Sequence, residues 1–82
     1  MLKDIKEIKK DILDKFREIK AEEDDALPDG WLAQEYFEGL NTYEQKIFKK
    51  ALKELTSRGL VEYVQARVMN LKLTEKGANL IN

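Results

Sequence analysis

Gln45, Lys46, Lys49, Lys50 and Lys53 recur at three- and four-residue steps, so that on a helix four ammonium groups and one amide share a face opposite Ile47, Leu52 and Leu55. The chemistry open to such a row is contact with phosphate, because lysine ends in a compact point charge, while the Gln45 amide has the geometry to pair with adenine. Bidentate reading of guanine favours arginine, and this stretch offers only Arg58 at its far end. The residue types therefore support phosphate contact better than sequence readout. Arg67, isolated further along the chain, is of a type that enters a minor groove. A solvated helix face that confers solubility is the plainer reading of the same lysines.

Catalysis is poorly provided for. The chain contains no cysteine and no histidine, which removes thiolate nucleophiles, imidazole bases, disulfides and nearly all zinc sites. Carboxylates alone would have to act. Glu22-Glu23-Asp24-Asp25 lacks the alternating oxygen ligands and the closing glutamate of a calcium loop, and reads as a solvated helix end. Neither a glycine-rich phosphate cradle nor a nucleophile elbow is present in the sequence. No enzymatic activity, metal or cofactor is expected. Tyr36, Tyr43 and Tyr63 could stack on bases and Trp31 could anchor a partner, but their spacing against apolar neighbours favours core packing.

The elements that must position these residues follow from periodicity. Leu2, Ile5, Ile8, Ile12, Leu13, Phe16 and Ile19 mark an amphipathic helix over residues 2–21, whose stripe serves either the core or a homodimer seam. The acidic run and Ala26-Leu27-Pro28-Asp29-Gly30 then form a loop. Trp31, Leu32, Tyr36 and Phe37 predict a short second helix, with Gly39 supplying a left-handed turn. Either Asn41, with Glu44, or Thr42, with Gln45, caps a third helix over about residues 42–58, stopped by Gly59. Its buried face is expected to hold Tyr43, Ile47, Phe48, Ala51, Leu52 and Leu55. Residues 60–64 and 68–73 read as two strands joined by Gln65-Ala66-Arg67, and Thr74 caps a last helix whose Ala78, Leu80 and Ile81 return to the core.

Eighty-two residues suffice for one core, and 43% hydrophobic with 38% charged residues is a globular composition, so a single α+β domain spanning 1–82 is expected. The first residues lack the apolar run of a signal peptide or membrane span, which makes a cytoplasmic location the default. The net charge of −1 conceals an asymmetry. Residues 1–41 hold seven Lys or Arg against twelve Asp or Glu, and residues 42–82 hold eight against four. A basic C-terminal half is the footprint of nucleic-acid binding, or simply an uneven surface.

Helix, short helix, tight turn, longer helix and β-hairpin is the order of a winged helix-turn-helix domain. Ala51-Leu52-Lys53-Glu54-Leu55-Thr56-Ser57-Arg58-Gly59-Leu60-Val61 resembles the end of the recognition helix and the start of the wing in MarR-like and PadR-like repressors. Leu73-Thr74-Glu75-Lys76-Gly77 resembles the segment that leaves their wing, and a looser likeness links the chain to small phage-associated winged-helix proteins of the YjcQ type. The resemblance implies a small transcriptional regulator that binds double-stranded DNA through Thr42, Gln45, Lys46, Lys49, Lys50, Lys53 and Arg67, and that dimerises through its N-terminal helix. The chain departs from the family where Glu35 replaces a small residue and Gln45 an apolar one, which implies a longer turn. Its wing tip is also short. Winged helices serve as protein-binding modules too, so the alternative is an interaction module in a larger assembly, such as a phage or mobile-element one, without DNA binding.

Overall fold

The computed structural model describes residues 3–64 and 67–82. The expected helix start at Leu2, and Gln65 and Ala66 of the hairpin tip, lie outside the described residues. Asp4 opens the first helix, since its backbone is extended and its carboxylate accepts the Glu7 amide at 2.8 Å. From there α1 runs over Ile5–Glu18. Ile8, Ile12 and Phe16 are fully buried, with Ile5, Leu13 and Ile19 packed at the margin, so the stripe covers the chain's own core.

The first helix stops short of residue 21, at a turn made by its own backbone. Lys20 adopts a left-handed φ of 54°, the Ala21 amide donates to the Phe16 carbonyl at 2.9 Å, and that of Lys20 donates to Arg17 at 3.0 Å. This is a Schellman turn made without glycine, with buried Ala21 beside buried Phe16 in place of the usual larger apolar contact.

The acidic run is a loop by its side chains and a strand by its backbone. Asp24 donates to the Leu73 carbonyl at 2.8 Å, Leu73 to that of Asp25 at 2.9 Å, and Leu27 to that of Leu71 at 3.0 Å. Strand β1 (Val61–Val64) pairs antiparallel with β2 (Asn70–Leu73) in a register that sets Val61 opposite Leu73. β2 is thus flanked on both edges. Leu27, Val61, Leu71 and Leu73 point into the core, and buried Asn70 donates its Nδ2 to the Leu27 carbonyl at 2.9 Å. On the outer face Lys72 lies 3.6 Å from both Asp24 and Glu62. The strands begin at 61 and 70 rather than 60 and 68, so Val68 and Met69 fall before the second strand and not within it.

The second helix is wider than expected. Gly30 enters it with φ 78°, and over Trp31–Tyr36 the bonds reach five residues, as from Glu35 to the Gly30 carbonyl at 3.2 Å. A tight 3-10 turn, Phe37–Gly39, follows, and Leu40 is extended. Gly39 has no positive φ, so the left-handed glycine stands at the entrance to this element and not at its exit.

Asn41, not Thr42, caps α2 (Thr42–Ser57): its side chain accepts the Glu44 amide at 2.8 Å while Glu44 accepts the Asn41 amide at 3.0 Å. Gly59 ends α2 as expected, with φ 73° and a Leu60 amide bonded back to Leu55 at 3.0 Å. Thr74 caps α3 (Glu75–Ile81), which sits so close to the preceding chain that a Cβ on Gly77 would lie 2.2 Å from the Leu60 carbonyl oxygen. Glycine is required there by space. Three residues assigned to the core by spacing are not in it: Tyr43 and Leu80 are each 56% exposed, and Tyr63 is 54% exposed. Glu44 occupies the buried rotational position on the first turn of α2, which turns Tyr43 outward.

One apolar cluster draws on α1, α2, the strands and the segment between α1 and α2. The radius of gyration, 11.8 Å, is close to the roughly 12 Å of a folded chain of this length. The described residues form one α+β unit, and no described helix is long and apolar enough to cross a membrane.

Candidate nucleic-acid interface

The Asn41–Glu44 capping box fixes where α2 starts, and Phe48, Ala51, Leu52 and Leu55 fix its rotation by facing inward. Thr42, Lys46, Lys49, Lys50 and Lys53 are consequently exposed on the opposite side. Among the described residues none of these four lysines takes part in an ion pair. α2 contains two carboxylates, and both are engaged elsewhere. Glu44 accepts the Lys3 amide at 2.8 Å besides that of Asn41, and Glu54 lies 3.1 Å from the Lys9 ammonium. The Lys3 backbone bond, then the Asn41 one, hold the Glu44 carboxyl below the ordinary glutamate range.

The cations of α1 are arranged differently. Lys10 lies 2.8 Å from Asp14, Arg17 lies 2.6 Å from Asp14, and Lys15 lies 3.3 Å from Glu18. The hydrogen bond to Asp14 raises the Lys10 pKa and lowers that of Asp14, as in any mutually stabilised pair. Near the amino end Tyr36 donates its hydroxyl to Asp11 at 2.6 Å, and burial, then this bond, push the phenol upward.

Two residues of the expected set stand apart from the lysine row. Gln45 is half-buried, and its Nε2 donates to the Phe37 carbonyl at 3.3 Å and the Leu40 carbonyl at 3.2 Å. It braces the turn into α2, and its amide group does not share the open face with the lysines. A polar residue at an apolar position of the motif thus has a structural task, satisfying carbonyls left open by the 3-10 turn. Arg67 is exposed in the hairpin connection and borders a shallow cleft with Asp29, Gly30 and Gln34, none of which belongs to α2.

Tyr43 is the neighbour of the lysine row that spacing alone missed. It lies one turn before Lys46 and two before Lys50, with an exposed ring. The capping box carried the clue. Among the described residues no group of three or more Asp or Glu side chains could hold a metal ion. No family model, no curated protein and no solved structure matches the chain.

Proposed function

We propose that the chain is a DNA-binding winged-helix protein, a small transcriptional regulator that contacts duplex phosphates through α2 and the hairpin. Four lysines on one face of α2 with no carboxylate partner among the described residues are the observation that carries this reading. Ammonium groups without a protein counter-charge can neutralise phosphates and so release the cations condensed on the duplex. The order helix, paired segment, wide helical turn, α2, hairpin supports the winged-helix assignment. α2 is then the helix offered to the major groove, with Thr42 and Tyr43 at its leading end.

One module of this size covers little DNA, so a regulator would act as a homodimer. The isoleucine stripe of α1 is already buried within one chain, so a dimer needs another face.

Affinity for duplex DNA should fall with salt at a log–log slope of roughly −3 to −4 per domain if about four of Lys46, Lys49, Lys50, Lys53 and Arg67 contact phosphate. Gel shift with Lys49→Glu/Lys50→Glu should show binding abolished while the thermal melt is nearly unchanged, because exposed charges contribute little to stability. Lys6→Glu/Lys10→Glu on α1 is the control of equal charge change. Equal loss in both double variants, or no duplex bound at low salt, would sink the α2 assignment.

A further inference from the structure

Beyond the lysine row the molecule has a second surface that the described residues leave open. Leu13 of α1, Leu55 of α2, Leu60 after the glycine turn and Leu80 of α3 line a groove of ≈ 330 Å³. Leu80 is 56% exposed there, at a position where helical spacing would have buried it. Cations form the rim. Lys9, Lys10 and Arg17 are held by Glu54 and Asp14, whereas Lys6 and Arg58 have no ion pair among the described residues. An apolar floor with surplus positive charge around it calls for an occupant that is apolar on one side and acidic on its flanks.

We propose that this groove docks an acidic amphipathic helix of a partner protein, with an apolar side chain seated between Leu13 and Leu80 and carboxylates meeting Lys6 and Arg58. Helix-in-groove recognition uses this combination of apolar anchors and flanking charge. A second copy of the chain fits poorly, since two-fold pairing would set Lys6, Lys10 and Arg58 against their own counterparts. Duplex DNA supplies charge but little apolar surface to cover Leu80. Leu55 follows Lys53 by two residues, or about 200° of helix rotation, so groove and lysine row lie on opposite sides of α2 and do not compete. The inference does not rest on the DNA reading.

The test is fluorescence anisotropy on the whole chain. Its probe is a fluorescein-labelled model helix carrying leucines at i, i+3, i+4 and i+7 and glutamates on both flanks. Saturable binding is expected, with none for the same peptide bearing lysines in place of glutamates. Leu80→Asp, and separately Lys6→Glu/Arg58→Glu, should each weaken it about tenfold or more, while Lys49→Glu/Lys50→Glu leaves it unchanged. Lys6 and Arg58 are exposed charges, so the double variant reads the site even if Leu80→Asp perturbs α3. Gel shift with the groove variants should show DNA binding retained wherever the wild type has it. The proposal fails if the probe does not saturate, if both peptides bind alike, or if Lys49→Glu/Lys50→Glu weakens the probe as much as the groove variants do. Self-association that Leu80→Asp abolishes would overturn it in favour of a second copy.

Discussion

Between Ile5 and Glu18, α1 has four lysines and one arginine among four carboxylates; between Thr42 and Ser57, α2 has four lysines and two carboxylates. The difference in composition is modest, and the difference in surface is large. In α1 two of the four acids pair with cations three or four residues away, Asp14 with both Lys10 and Arg17 and Glu18 with Lys15. In α2 one acid closes the capping box and also holds the Lys3 amide, and the other reaches across to Lys9. Where the carboxylates face, more than how many there are, decides which helix presents open charge. A net charge by halves points to the right region for only part of the right reason.

The comparison can be broken most forcefully from its buried sides. Ile8→Lys should unfold the chain outright, because it sets an ammonium at a position with no solvent access, whereas a dimer seam would give a folded monomer. Circular dichroism with light scattering distinguishes the two. Next in size, Leu52→Ala and Leu55→Ala should each cost about 2 to 5 kcal/mol by leaving cavities under the lysine row. Denaturant melts within error of wild type for both would mean that α2 is held by something other than its apolar face.

The smallest effect sharpens the contrast between the two uses of carboxylate. Glu44 has its folded-state pKa held below the ordinary value of about 4.5, so its stabilising contribution is present above that pH and is lost as pH falls through the folded value. Melting temperature measured from pH 6 down to about 2 should therefore decline less steeply in Glu44→Gln than in wild type. A parallel decline would show that the two amide bonds to Glu44 contribute nothing that depends on its charge.

The helical part of the fold was legible in the sequence because its signals are side-chain signals: Asn41 with Glu44, Gly59, Thr74 and the apolar steps of both long helices. What escaped is carried by backbone or by neighbours distant in sequence. Asp24 to Leu27 pair with β2 through main-chain groups while the two aspartates stay in solvent, so neither alternation nor β-branching marks the segment. Lys20 adopts the conformation that Gly39 was expected to adopt, and no residue type announces that. Spacing placed Lys46, Lys49, Lys50 and Lys53 on the open face, but it could not tell that Gln45 would be drawn to the carbonyls of Phe37 and Leu40. Nor does spacing show whether another element arrives to cover an apolar residue, and among the described residues none covers Leu80.

The position of β2 between two partners has a consequence for how the molecule comes into being. One neighbour lies just before it in the chain and the other more than forty residues back, across the whole of α2. Loop closure over that span has to be met before its contacts can reward it, which makes this pairing the slow, non-local step. As the chain leaves the ribosome, α1 and α2 can form turn by turn, but Leu27 waits unsheltered until Leu71 has been synthesised. The sheet is therefore closed by its last strand, and until that moment the helices have no finished core to rest on.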